Sequence, residues 1–214
     1  GVMSLPVIVL GAGGHAKVLI NALQLAGIRI AGIVDTDPGK HGISLLGVRV
    51  LGGEEAISQH DPAQVRLVNG VGSVGLPEKR RRLFESFKKR GYTFQSVLHP
   101  SAVISSDVVL GEGVQIMAGA IVQPGARVGQ NAILNTGARV DHDCIVGAHA
   151  HLAPGVILSG SVKVSDGTHV GTGVIVIQGV SIGAGCLIGA GSLVLEDIPA
   201  GAIAIGVPAR SKGA

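Results

Sequence analysis

His142 is the side chain here whose setting most invites chemistry, because it stands between two carboxylates in Val140-Asp141-His142-Asp143-Cys144. Imidazole titrates close to working pH and can act as a general base. A carboxylate bonded to one ring nitrogen would fix its tautomer and raise its basicity; Asp141 and Asp143 are both candidates for that part. A second cluster opens the chain. The loop Gly11-Ala12-Gly13-Gly14-His15-Ala16-Lys17 follows the apolar run from Pro6 to Leu10 and precedes Val18, Leu19, Ala22 and Leu23 at helical spacing. Glycines let a backbone approach phosphate, and a helix N-terminus supplies free N–H groups and a partial positive charge. The next run, Arg29 to Val34, ends at Asp35, an acid placed to accept hydrogen bonds from a sugar or base. Gly11, Gly13, Gly14, His15 and Asp35 are therefore the candidate ligand contacts of a nucleotide-binding α/β domain. The loop matches only the loose G-x-G-x-x-A pattern. One further strand, Val65 to Val71, is evident, whereas a full dinucleotide site needs two halves and about six strands. There is room for a mononucleotide, and an NAD-dependent oxidoreductase is disfavoured.

The elements that must carry His142 are set by a different rhythm. From Ile104 to Val194 an aliphatic residue falls on every sixth position without a miss, and a second column of small or β-branched residues follows four places later, Cys144 and Cys186 among them. Six residues fit neither a helix, at about 3.6 per turn, nor an amphipathic strand, at 2. They fit a short strand plus a turn, repeated as the coils of a parallel β-helix, each stabilised by its neighbours. At three faces per coil, Val140 should stack on Val122 and Leu158. Val140 and Cys144 point inward, so His142 must point outward.

Composition agrees with a tube of this kind: 35 Gly and only 2% aromatics in 214 residues. The rings Phe84, Phe87, Tyr92 and Phe94 all precede the repeats. Leu46 to Gly53 reads as a glycine-bounded connector, Glu54 to Gln59 as a short helix, and Pro77 to Arg90 as a helix with Leu83, Phe84 and Phe87 on one face. Seven Lys and Arg between positions 79 and 90 make that helix strongly basic, with the charges read as a solvated outer face; without interleaved aromatics or a second basic patch no nucleic-acid partner is expected. No apolar run approaches the roughly 18 residues of a membrane span, and no secretion signal is evident, so a cytoplasmic protein is expected. The two cysteines read as buried thiols in a reducing compartment.

The G-x-G-G-H loop, the front domain of about a hundred residues, His99-Pro100-Ser101-Ala102, the hexapeptide repeats and the ending Ile205-Gly206-Val207-Pro208-Ala209-Arg210 together resemble the sialic-acid O-acetyltransferase-type family of hexapeptide-repeat sugar acyltransferases. Within it the resemblance is to the N-acetyltransferases of nucleotide-linked 4-amino-4,6-dideoxy sugars. It implies a small α/β (half-Rossmann) domain at residues 1–98 holding the nucleotide sugar, and a left-handed parallel β-helix at residues 99–214 ending in a segment that covers CoA. It also implies a homotrimer with active sites between subunits, acetyl-CoA as co-substrate, no metal, and a role in surface polysaccharide or glycan synthesis. By the same resemblance Asp143 is the acid that steadies His142, His151 contacts acetyl-CoA or the acceptor, Gly160 offers its amide to the oxyanion, and Pro208, Ala209 and Arg210 lie against CoA, with Arg210 at a phosphate.

The expected chemistry is direct transfer. The C4 amine of a nucleotide-linked sugar, GDP-perosamine or a UDP-4-amino sugar, attacks the thioester of acetyl-CoA while His142 takes its proton. An O-acetyltransferase of sialic-acid type and a non-catalytic nucleotide-sugar-binding protein are the alternatives. A β-helical zinc carbonic anhydrase is disfavoured, because the spacing of His142, His149, His151 and His169 does not reproduce its ligand pattern.

Overall fold

The computed structural model describes residues 4–212. Its front part is a five-stranded sheet of order β3-β4-β2-β1-β5, built from β1 (Val7–Leu10), β2 (Ile30–Val34), β3 (Ser44–Leu45), β4 (Val48–Gly52) and β5 (Arg66–Asn69). β1 runs parallel to β2 and β5, β2 runs parallel to β4, and β3 and β4 form an antiparallel hairpin. The Leu46 to Gly53 stretch, expected as a connector, is thus largely strand: Val50 is fully buried beside Ile33. Its short apolar alternation is hidden in the sequence by the flanking glycines. Helix α1 (Gly14–Leu25) buries Ala16, Leu19, Ile20 and Leu23 on one face of the sheet, and α2 (Glu78–Lys89) buries Phe84 and Phe87 on the other. Glu54–Gln59 is a 3-10 helix.

From β6 (Val97–Leu98) onward the chain is a left-handed parallel β-helix. Its strands are two residues long, from β7 (Val103–Ile104) to β22 (Leu193–Val194), and they stack into three sheets by pairing with residues eighteen positions away. Val140 of β13 (Arg139–Val140) pairs with Val122 of β10 (Ile121–Val122) and with Leu158 of β16 (Ile157–Leu158). The aliphatic column is buried from Ile116 to Val194, while Ile104 and Leu110 in the first coil are only partly covered. Polar members of the small column are satisfied inside the tube: Thr168 Oγ1 donates to Gly183 O at 2.7 Å and Ser192 Oγ to Gly189 O at 2.7 Å. Cys144 and Cys186 are free and buried. From Gly113 to Gly191 the corner residue of each step takes a left-handed backbone, supplied mostly by glycine but at four corners by Asn131, Asp143, His149 and Ser161.

Pairing passes from the front sheet to the tube between Phe94, bridged to Leu67, and Val97, which already pairs with Gln115 of β9 (Gln115–Ile116). The two parts share one interface, with Val97 and Met117 packed into the α1 cluster. At its centre lies Arg80, which is 1% exposed. The basic helix therefore does not keep all its charges on an outer face. Arg80 donates through Nη1 to Asn69 O at 2.8 Å and Val71 O at 2.9 Å, and through Nε and Nη2 to Asn131 O at 3.2 and 3.1 Å. Among the described residues no carboxylate pairs with it, and burial lowers its pKa to about 9. Among the described residues, no helix is long and apolar enough to cross a membrane. Arg80→Ala leaves the Val71 and Asn131 carbonyls without a donor, Asn69 O keeping Gln115 Nε2 at 2.8 Å, and should cost on the order of 3 kcal/mol, read as a lower urea midpoint. The exposed Arg82→Ala should change stability by less than about 0.5 kcal/mol.

Candidate active site

The Asp-His-Asp corner joins β13 to β14 (Ile145–Val146), and all three of its side chains are exposed. Asp141 Oδ1 accepts from the backbone N–H of His142 at 2.7 Å, so it holds the corner. Asp143 Oδ2 lies 2.9 Å from His142 Nδ1. Geometry thus assigns the ring contact to Asp143 and leaves Nε2, which lies over Gly160, without a hydrogen-bond partner among the described residues. That hydrogen bond raises the His142 pKa above its ordinary value, with the charge of Asp141 adding to it. The pair is framed by two glycines. A Cβ on Gly160, one coil further, would collide with His142 Nε2, and one on Gly125, one coil back, would collide with Asp143 Oδ1. Among the described residues the Gly160 amide donates to no acceptor in the chain. Pro124 and Pro154, which have no N–H, fill the same corner position elsewhere.

The glycine loop opens into a cavity of about 840 Å³ between the front domain and the tube. Gly11 through His15, Asp35, the segment Gly70 to Val74, Lys40 and Lys79 line it, with Asn135 and His151 supplied by the β-helix. Gly13 and Gly14 have open space where a Cβ would sit, and Gly13 precedes the first turn of α1, so free amides face the cavity. Asp35 is more engaged than the sequence implies. Its two oxygens accept from Ala12 N at 2.8 Å and Asp37 N at 2.9 Å, and Lys40 Nζ lies at 3.6 Å. It ties the loop to the end of β2. Burial pushes its pKa up, but these bonds outweigh burial and leave it lowered.

His15 points across the interface, with Nε2 at 2.7 Å from Gln115 Oε1. Burial, with the charge of Arg80 behind it, lowers its pKa to about 4. His151 lies outside the tube but is 5% exposed, covered by the Gly70 to Val74 segment. Its Nδ1 is 2.9 Å from Ser73 Oγ and its Nε2 is 3.1 Å from Asn135 Nδ2. Burial first, then His169, His15 and Arg80, push its pKa down to about 3. The structure therefore brings His151 together with the glycine loop and sets both apart from His142: Asn135 and His142 occupy the corners at opposite ends of β13. Ser73, Arg80, Gln115 and Asn135 escaped the sequence reading. Ser73 lies in an unpatterned loop, and Arg80 is one of seven Lys and Arg between positions 79 and 90.

At the far end, β23 (Ile203–Gly206) and β24 (Ala209–Lys212) form an antiparallel hairpin with Pro208 in its turn. Ala209 is buried against the tube, while Pro208 and Arg210 are exposed, with Arg210 Nη1 at 3.9 Å from Glu196. Among the described residues no three His, Cys, Asp or Glu side chains could hold a metal ion.

Two family descriptions match: the PglD N-terminal domain over residues 6–87, and the bacterial transferase hexapeptide (six repeats) over residues 107–142. No curated protein matches. Among solved structures, PerB from Caulobacter crescentus in complex with CoA and GDP-perosamine is 42% identical, with 98% of this chain and 100% of that chain covered and a TM-score of 0.90. The acetyltransferase domain of PglB from Neisseria gonorrhoeae, solved also with acetyl coenzyme A, is 33% identical over 98% and 100% of the two chains, with a TM-score of 0.90. WeeI from Acinetobacter baumannii, at 24% identity over 98% and 100% and a TM-score of 0.80, shares the fold. With full-length identity above 30% to two CoA-dependent acetyltransferases, the chain belongs to the hexapeptide-repeat sugar acyltransferase family.

Proposed function

We propose that this chain transfers the acetyl group of acetyl-CoA to the C4 amine of a nucleotide-linked 4-amino-4,6-dideoxy sugar, GDP-perosamine or a UDP-linked relative, in the building of surface polysaccharide. The observation that carries the reading is the His142–Asp143 pair at 2.9 Å, held on an outer corner with Nε2 free. An ammonium has no lone pair for a thioester, so the sugar amine must lose a proton. His142 accepts it, Asp143 stabilises the imidazolium, the N–C bond forms to give a tetrahedral oxyanion, and as that collapses the C–S bond breaks and the sulfur takes the proton from His142, so CoA leaves as a thiol. The Gly160 amide is the donor assigned to the oxyanion. Both cysteines are buried, which argues against a thioester on the protein. Lys40, Lys79 and the open amides of the α1 N-terminus fit a diphosphate in the cavity. The 42% identical enzyme was crystallised with GDP-perosamine, and also as histidine-to-asparagine and histidine-to-alanine variants.

The assembly we infer is a trimer. The cavity and His142 sit at opposite edges of the β7 to β22 sheet, so one chain alone does not join them. That face turns Val103, Ile121, Ile157, Ile175 and Leu193 outward, with Arg139 as its lone charge. Packing that face against a second copy would carry one protomer's imidazole to the next one's cavity. Pro208, Ala209 and Arg210 are then placed to close over CoA, and His151 to face the acceptor. A cytoplasmic setting agrees with the free cysteines.

Acetylation of GDP-perosamine, followed by thiol release, tests the reading. His142→Asn should lower kcat by roughly 10²–10⁴ with folding unchanged, and turnover within a few-fold of the parent would remove His142 as the base. Because His142 must be unprotonated and its pKa is raised, activity should rise with pH along a limb lying above the ordinary imidazole value. Asp143→Asn, which tolerates the left-handed corner, removes the stabilising charge and should move that limb to lower pH while reducing kcat. A limb that stays put in a pH–rate profile would contradict the pairing. Gly160→Ala should displace the ring and cost on the order of 10² in kcat, with circular dichroism unaltered.

A further inference from the structure

Ser73 and His151 look like a nucleophile and its base, with Asn135 as the third member. The hydrogen bonds argue otherwise. Asn135 Oδ1 accepts from Thr136 N at 2.8 Å, which orients the amide so that Nδ2 faces His151 Nε2 at 3.1 Å. An NH2 group only donates, so Nε2 must carry the lone pair and Nδ1 the proton. Nδ1 then donates to Ser73 Oγ at 2.9 Å. Ser73 is left with its own hydrogen unspent, and among the described residues the hydroxyl has no other partner. Burial keeps His151 neutral at working pH, so the ring cannot reverse the sequence by taking a second proton.

The place of the free hydroxyl matters. Ser73, Val74, Asn135 and His151 line the glycine-loop cavity and also a second cavity of about 460 Å³ that continues down the tube past His169 and Thr172. A nucleotide whose phosphates met the α1 N-terminus, with its base toward Asp35, would have its sugar toward that junction, the other end of the same cavity. We propose that Ser73 is a substrate-positioning residue whose hydroxyl, oriented by Asn135 through His151, donates a hydrogen bond to an oxygen of the bound sugar. This rests on the cavity taking a nucleotide sugar. No acyl-serine forms, because the ring nitrogen facing Ser73 already holds a proton.

GDP-perosamine and acetyl-CoA are the probes. Ser73→Ala should raise KM for GDP-perosamine about tenfold or more, the loss of one hydrogen bond, with KM for acetyl-CoA and Tm unchanged. Ser73→Thr, which keeps the donor, should restore most of the loss. Nitrogen-15 NMR of His151 should show the proton on Nδ1. Asn135→Asp should move it to Nε2 and reproduce the KM defect with Ser73 still present, and the double variant should be no worse than the worse single one. A Ser73→Ala KM within about twofold of the parent, a proton on Nε2 in the parent, or an acetyl adduct on Ser73 after incubation with acetyl-CoA would each overturn the inference. A parent that acetylates no nucleotide-linked amino sugar would sink the function instead, while the ring-nitrogen assignment still decides the relay.

Discussion

Everything in the tube depends on the packing of each inward aliphatic side chain on its counterpart eighteen residues away. Val122, Val140, Leu158 and Val176 are one such stack, and each is at most 1% exposed. Side chains alternate across a strand, so a slip of one residue would exchange inside for outside along a whole coil. The stack thereby fixes more than stability. It dictates that Asp141, His142 and Asp143 project outward, that Gly125 and Gly160 lie on either side of them, and that Asn135 and His151 share the face covered by the front domain. Because each coil contacts only its neighbours, these positions are set locally and accurately.

Against that frame, one residue type is given opposite electrostatic settings. His142 sits in water beside a carboxylate and binds a proton more readily than free imidazole. His15, half-buried, and His151, buried, lie near the Arg80 charge and stay neutral. A neutral imidazole with a defined tautomer serves as a fixed donor and acceptor, whereas an exposed one with a carboxylate serves as a base. Arg80 joins the two settings mechanically as well. By donating to Asn69 O and Val71 O on one side and Asn131 O on the other, it holds the loop that carries Ser73 against the β-helix.

The tube and the outward direction of His142 were legible in the sequence because a period of six, sustained over sixteen positions, leaves little freedom in what faces in. The glycine loop was legible for a related reason: Gly11 takes a positive φ of 93°, and Gly13 and Gly14 leave the backbone bare toward open space. What could not be read were relations across the interface. His15 looks like a first-turn surface residue until Gln115, a hundred positions later, is seen to meet it. Asp141 and Asp143 are equivalent as text and differ only because the corner backbone turns left-handed at 143. Val48 to Gly52 reads as part of a connector because glycines on both sides mask a strand that has neighbours on both sides in the front sheet.

A stack of short parallel strands could in principle go on accepting strands at its open end, and an exposed ladder there would invite another molecule to continue it. Here the last coil is closed by chemistry unlike the rest. β24 returns antiparallel along β23 and presents Arg210 and Lys212 on the outer rim, while Asp197 Oδ1 takes the amide of Ser181 at 2.8 Å on the neighbouring sheet. The terminal hairpin is therefore also a stopper: by returning antiparallel it ends the parallel ladder of its sheet, so that another coil cannot simply be added there.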